Sequence, residues 1–279
     1  MSVLIADIGG SSSRWALLEA SGNVQHRDDL PGFNPASGDP TALIEALRSA
    51  IGPWQVDRVV AYGAGCGHVE RQDRMRSVLA MVLPHARIDV HTDLLGSARA
   101  VYGSGEGVVL ILGTGMNAGH FDGTVLHTPM PSLGYILGDE CSGADLGKHA
   151  LVAALHDRMP NDLRHRVFPD GISMEQVAPQ LYRGASPQAW LASFARPLLQ
   201  ARDHLFATAL IAERCDRLAG LLAHYFGGVG TKEVRATGSI AFAMRAELAA
   251  ALAKHGFALG AIVPSPMPGL VDYHRQAVP

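Results

Sequence analysis

Val3-Leu4-Ile5-Ala6-Asp7-Ile8-Gly9-Gly10-Ser11-Ser12-Ser13 sets an apolar run, one carboxylate, and then glycines and hydroxyls end to end. It reads as a buried strand that delivers Asp7 into a glycine loop. Val108-Val109-Leu110-Ile111-Leu112 repeats the design, running into Gly113-Thr114-Gly115-Met116-Asn117 and then Ala118-Gly119-His120-Phe121. Glycine lets backbone approach an oxygen closely, and consecutive N–H groups in such a turn form an anion nest. Two copies in one chain predict two related lobes, each offering N–H groups to a polyphosphate. No Gly-Lys-Ser/Thr follows either loop, so neither is a P-loop, and the spacing of a dinucleotide fingerprint is missing. A carboxylate just before a phosphate cradle repels its ligand unless a cation lies between them. Mg²⁺, which keeps several of its waters, fits that place.

The 279 residues suffice for two modest domains or one large α/β domain. Lys and Arg number 23 against 26 Asp and Glu, a net charge of −3, so no basic bias points to nucleic acid or an anionic membrane. Cys66, Cys141 and Cys215 are scattered, without a C-x-x-C pair, which gives zinc and iron–sulfur clusters little support. The N-terminal apolar run stops at Asp7, unlike a signal peptide, and no apolar stretch reaches the roughly 20 residues that span a bilayer. A cytoplasmic setting without a membrane is the expectation.

Along the first half, strands are predicted at Val3 to Ala6, Arg14 to Glu19 and Val24 to Leu30. The spacing of Leu43, Ile44, Leu47 and Ile51 predicts a helix over 41–51. A strand at Val56 to Tyr62, a helix from Arg71 to Leu83, a strand at Ala86 to His91 and a helix from Asp93 to Tyr102 follow. In the second half, Asp122-Gly123 reads as a two-residue hairpin turn. Helices are predicted at Leu146 to Met159, Ala189 to Leu199, His204 to Phe226 and Met244 to His255, and strands at Glu233 to Ala236 and Leu259 to Val263. The stretch 160–187 is polar and broken. The break at Tyr102-Gly103-Ser104-Gly105 divides an N-terminal lobe, 1–103, from a C-terminal lobe, 104–279. The fold class is α/β.

Five motifs in order carry a family resemblance: Asp7-Ile8-Gly9-Gly10-Ser11, Thr92-Asp93-Leu94, Gly113-Thr114-Gly115-Met116-Asn117, Leu133-Gly134-Tyr135-Ile136-Leu137-Gly138-Asp139-Glu140 and Thr237-Gly238-Ser239-Ile240-Ala241. With the closing Ser265-Pro266-Met267-Pro268-Gly269-Leu270, the chain resembles the BadF/BadG-type branch of the actin, hexokinase and heat-shock ATPase superfamily. Within it, the likeness is to bacterial N-acetylglucosamine kinases. The resemblance implies two ribonuclease-H-like, actin-like ATPase lobes with ATP and Mg²⁺ in a cleft, and a homodimer.

It also implies roles. Asp93 matches the aspartate that takes the proton from the sugar hydroxyl; by itself Asp93 also reads as a helix N-cap. A helix N-terminus lowers a carboxylate's pKa, so a weak base is expected, tolerable where positioning matters more than basicity. Asp139 matches an acceptor for sugar hydroxyls, with Glu140 beside it fixing the loop. Asn34 matches a sugar-contacting asparagine, though Asn before Pro35 is also a turn signal. Met116, Asn117, Gly134 and Tyr135 complete the sugar set. Asp7 matches the residue holding Mg²⁺ through water. Gly9, Gly10, Ser11, Gly113, Thr114 and Gly115 match the phosphate loops, Gly238 and Ser239 the adenosine motif, and Ala195 a further position near the nucleotide.

Two positions depart from the family pattern. Cys141 replaces the glycine of Gly-Asp-Glu-Gly-Ser, and Met116 stands where serine is common. If position 141 needs left-handed backbone, the cysteine costs roughly 1–2 kcal/mol. Beside a substrate loop it is either a reactive thiol or an inert one. The leading expectation is an ATP-dependent kinase acting on the 6-hydroxyl of an amino sugar, N-acetylglucosamine first. An ATPase that activates a redox enzyme needs paired cysteines for its cluster, and a non-catalytic sugar sensor would dispense with the base; these are the competing readings.

Overall fold

The computed structural model describes residues 1–36 and 38–277. The chain divides into two compact units, each taken here by itself. The first comprises 1–104 together with 265–279, the second 105–264.

In the first unit, β1 (Val3–Ile8), β2 (Ser12–Leu18) and β3 (Val24–Pro31) form an antiparallel meander. Then come α1 (Thr41–Ile51), β4 (Arg58–Gly63), α2 (Val69–Ala80), β5 (Arg87–Thr92) and α3 (Asp93–Tyr102). The strand order is β3-β2-β1-β4-β5, with β4 parallel to both β1 and β5. Side chains alternate across a strand, and β1 shows it. Leu4, Ala6 and Ile8 join a core with Leu43 and Leu47 of α1 and Met75 and Leu79 of α2. Val3 and Ile5 face the other way, into a core with Tyr62 and Leu270. Asp7 therefore shares the face of Val3 and Ile5.

The second unit repeats the order. It runs β6 (Gly107–Leu112), β7 (Met116–Phe121), β8 (Leu126–His127), α4 (Gly134–Leu137), α5 (Gly143–Leu155), α6 (Asn161–Val167), α7 (Met174–Arg183), α8 (Pro187–Ser193), α9 (Ala195–Gln200), α10 (Leu205–Phe226), β9 (Glu233–Thr237), α11 (Ser239–Ala243), α12 (Arg245–Lys254) and β10 (Ala258–Val263). Its sheet is ordered β10-β9-β6-β7-β8, again an antiparallel meander flanked by parallel strands. The α/β class and the repeated lobe are as expected.

Several expectations need correction. The segment 265–279 does not belong with the second unit. It contains α13 (Met267–Ala277), whose Met267, Leu270 and Val271 bury against β1 and β4 of the first unit. The Asp122-Gly123 turn is a longer loop, closed by Asp122 N–H to the Val125 carbonyl at 3.1 Å. The helix predicted over 189–199 is two, α8 and α9, interrupted at Phe194. The polar stretch 160–187 holds α6 and α7. Among the described residues no helix is long and apolar enough to cross a membrane.

Candidate active site

Asp7 and Asp93 are brought together by strand register. In the parallel strands, Asp7 pairs with Tyr62 and Tyr62 with His91, so Asp7 and the β5–α3 junction occupy the same end of the sheet. Ligands of open α/β sheets gather at the carboxyl ends of such strands. Asp93 is the first residue of α3 rather than its cap. Thr92 is the cap, its Oγ1 accepting from Leu95 N–H at 3.2 Å, while Asp93 Oδ1 accepts from Leu94 N–H at 2.8 Å.

The electrostatics reverse the expectation of a weak base. Burial lifts the Asp93 carboxyl to about 7, the Leu94 N–H opposes it, and the charge of nearby Asp7 lifts it further. Desolvation here outweighs the helix terminus. Asp7 is itself raised by burial to about 6, relieved only by Arg14, whose guanidinium is 4.0 Å away. An under-compensated carboxylate at the mouth of a glycine loop suits a cation. Among the described residues no cluster of three metal-ligating side chains exists. A divalent ion here would rest on Asp7, water and ligand oxygens, as Mg²⁺ does.

Gly9, Gly10 and Ser11 form a tight turn after β1, with Gly9 N–H donating to the Ser12 carbonyl at 2.9 Å; Gly10 and Ser11 are exposed. Asn34 lies in the same unit, on a loop held by Arg74, which donates to the Pro35 and Gly38 carbonyls. Its Oδ1 accepts from Ala36 N–H at 2.9 Å, so the turn and sugar readings coexist, the Nδ2 side remaining available.

In the second unit, the Gly113–Gly115 turn is fastened to the start of α5. Gly143 N–H donates to the Gly113 carbonyl at 2.8 Å and Ala144 N–H to the Thr114 carbonyl at 3.1 Å. Gly238, at φ +118°, packs against this turn. A Cβ there would lie 2.3 Å from the Leu112 carbonyl oxygen, so only glycine fits. The Gly238-Ser239 segment, with exposed Ser239 opening α11, and the Gly113–Gly115 turn are thus neighbours.

Asp139 is buried at 6% exposure and has φ +58°. It accepts a hydrogen bond from the Met116 backbone N–H, and burial lifts its carboxyl to about 6. Met116 itself turns its side chain into the core, and Asn117 Oδ1 accepts from Ala118 N–H at 3.0 Å. Gly134, at φ +70°, begins α4, and Tyr135 lines an apolar groove of about 590 Å³ with α5 and α7. Ala195 is fully enclosed in the core and offers no surface to a nucleotide, which removes it from the site.

Position 141 does require left-handed backbone: Cys141 has φ +65°. Its thiol is buried 3.4 Å from that of Cys215, which with desolvation drives its pKa well above the ordinary value. That favours the inert thiol. Sequence reading missed Asp145, whose Oδ2 accepts from Cys141 N–H at 2.9 Å and from Arg214 Nε at 2.7 Å. It also missed Gln188, whose Nε2 donates to Asp139 Oδ2 at 3.0 Å. Gln188 lies in no motif and is 49 positions from Asp139. Asp145 ends a Ser142-Gly143-Ala144-Asp145 helix-start signature that could have flagged it, but its partner Arg214 is 69 positions away.

No family model matches the chain. A solved structure from Porphyromonas gingivalis, provisionally named an N-acetylglucosamine kinase, superimposes with a TM-score of 0.88 at 33% identity, covering 98% of this chain and 99% of its own. A ROK family glucokinase from Streptomyces griseus, in complex with glucose and AMPPNP, has a TM-score of 0.60 at 15% identity over 99% of both chains, a likeness of fold alone. An N-acetylmannosamine kinase from Escherichia coli is 43% identical over 56 residues, 20% of this chain; the match spans 19% of that relative's length. Taken with the repeated sheets and the paired glycine turns, the full-length match at 33% identity establishes kinship: the chain belongs to the BadF/ROK-type family of actin-like sugar kinases.

Proposed function

We propose that this chain is a kinase that moves the γ-phosphoryl group of ATP to the 6-hydroxyl of N-acetylglucosamine. The observation that carries the reading is the placement of Asp93 at the β5–α3 junction, at the same carboxyl end of the sheet as Asp7 and the Gly9–Ser11 turn; burial also raises its carboxyl to about 7. A base with pKa near the working pH takes a proton most effectively.

Asp93 accepts the proton of the sugar hydroxyl as its oxygen bonds to phosphorus, and the electrons of the breaking P–O bond leave with ADP. Such a base contributes roughly 10²–10⁴-fold. Gly10, Ser11, Thr114 and Gly115 offer N–H and hydroxyl groups to phosphate oxygens, while the Gly9 and Gly113 N–H groups close their own turns on the Ser12 and Gly115 carbonyls. Gly238 and Ser239 take the adenosine. Asp139 accepts from sugar hydroxyls, and Asn34 and Asn117 donate through their Nδ2 groups. Mg²⁺, when bound with ATP, supplies positive charge at the phosphates, with Asp7 as its protein anchor through water. The family likeness supports a homodimer, which light scattering would decide.

A second acceptor, N-acetylmannosamine, is favoured by the 43% identity over 56 residues to the Escherichia coli kinase for that sugar. The test is ADP release with Mg²⁺ across N-acetylglucosamine, N-acetylmannosamine, glucosamine, N-acetylmuramic acid and glucose, followed by mapping of the phosphorylated carbon. Sugar-stimulated turnover is expected with an N-acetylated hexosamine. Its absence with every sugar defeats the proposal.

A further inference from the structure

We infer that Gln188 is a positioning and specificity residue: its carboxamide N–H holds the Asp139 carboxylate in its sugar-accepting pose, and its carbonyl offers the sugar a second acceptor. The inference rests on the proposed sugar site at Asp139.

The geometry of the contact carries it. Asp139 stands on left-handed backbone in the turn between α4 and α5, where the main chain alone leaves its side chain several directions. Two donors remove that freedom: the Met116 backbone N–H and Gln188 Nε2, at 3.0 Å from Oδ2. Gly115 closes the remaining side. A Cβ on Gly115 would come within 2.8 Å of Asp139 Oδ2 and 2.9 Å of Gln188 Nε2, so both groups sit directly on the second phosphate turn. The pair is therefore next to the phosphate loop, where an acceptor sugar must lie if Asp139 binds it.

The helix that carries Gln188 is fixed in place. α8 packs on α5 through Gly147, where a Cβ would fall 1.8 Å from the Leu191 carbonyl oxygen. The backbone one turn beyond Gln188 thus touches the backbone of α5, and α5 begins directly after the Asp139 turn. The carboxamide is half-buried, and its Oε1 accepts no hydrogen bond in the described structure. With Nε2 committed to Asp139, Oε1 is fixed as an acceptor beside the Asp139 carboxylate. Two adjacent acceptors suit neighbouring donors on a pyranose ring, a pair of hydroxyls or a hydroxyl beside an N–H.

The test compares Q188L and Q188E with the wild-type protein, using N-acetylglucosamine and N-acetylmannosamine as probes. Q188L keeps the volume and removes both polar ends. The sugar KM is expected to rise about ten- to hundred-fold, the range for a hydrogen bond to a charged group, while the KM for ATP stays within about twofold. Q188E sets a second carboxylate against Asp139. Its sugar Kd, measured by calorimetry as a ratio to wild type, should be worst at pH 8 and recover toward pH 5.5, where a protonated glutamate donates as glutamine does. A purely structural role would lower thermal stability, shift both KM values together and show no recovery with acid. That pattern, or an unchanged sugar KM in Q188L, overturns the inference alone. A wild-type protein that neither binds nor phosphorylates any sugar overturns the proposed function and this inference with it.

Discussion

The Tyr62 hydroxyl lies 2.9 Å from His274 Nε2, joining β4 to α13 across 212 positions of sequence. Arg99 Nη1 donates to the same hydroxyl at 2.9 Å. The phenol therefore accepts from Arg99 and donates to the imidazole, which requires a neutral Nε2. Burial and the Arg99 charge hold His274 down at about 4.

That relation sets an acid sensitivity. His274 titrates near 6.5 when unfolded and about 4 when folded, so the unfolded chain gains the proton first as pH falls, and stability is lost from about pH 6.5 down to 4. Between pH 7 and 5 the loss is about 2 kcal/mol. In H274Q this component should vanish. Urea unfolding at both pH values measures it; an unchanged pH dependence in H274Q would refute the assignment.

Asp93 has the opposite sign. Its folded pKa of about 7 exceeds the unfolded value, so its ionisation destabilises the fold as pH rises through 7. Asp93→Asn should abolish turnover, leave ATP binding intact, and stabilise the protein at pH 8 by about 2 kcal/mol, discounted because the carboxyl keeps some solvent contact. The gain should fade near pH 4. In the wild-type enzyme, kcat/KM for the sugar should climb with pH through about 7. Thermal melts and a pH–rate profile check both halves.

Cys141 carries an unusual substitution order. At φ +65°, Cys141→Gly relieves backbone strain that Cys141→Ala retains, while both lose the contact with Cys215. The glycine variant should be the more stable by about 1 kcal/mol, the reverse of the usual ranking. Chemical denaturation of the two variants decides it.

Arg214→Met should cost about 3–5 kcal/mol, because it strips the buried Asp145 carboxylate of its 2.7 Å partner. Lys148, 3.5 Å from the other oxygen, is a partial substitute. Because Asp145 also accepts from Cys141 N–H, the Asp139 turn should loosen, raising the sugar KM along with the loss of stability. A variant as stable as wild type would contradict this.

Elements whose signal is local were readable in advance. Thr41–Ile51 and Asp93–Tyr102 matched residue for residue, the first carrying its apolar stripe at helical spacing and the second a glycine end and a cap that reads as Asp93 in the sequence and is Thr92 in the structure. The other strands and helices read in advance lay within a few residues of their observed bounds, except 189–199, which is split in two at Phe194. α13 escaped because Pro266, Pro268 and Gly269 read as breakers, and its stripe has meaning only against β1 and α3. α6 and α7 escaped for a similar reason: Pro160 and Pro179 punctuate them and their surfaces are mostly polar. Within the site, the glycine turns and Asp7, Asp93 and Asp139 stood out by motif. The sign of the Asp93 shift did not, since it depends on burial rather than on helix position. Gln188 and Arg214 act on carboxylates 49 and 69 positions away, and no periodicity reports such pairs.

The return of α13 to the first unit has a consequence for synthesis. The second unit is one uninterrupted stretch and can collapse as soon as it clears the ribosome, whereas the face of Val3, Ile5 and Tyr62 is only partly covered, by Gly96 and Ala100 of α3, until residues 267–277 arrive. The half translated first is thus the half finished last, and a ribosome stalled before codon 267 would display that half-covered apolar face to chaperones.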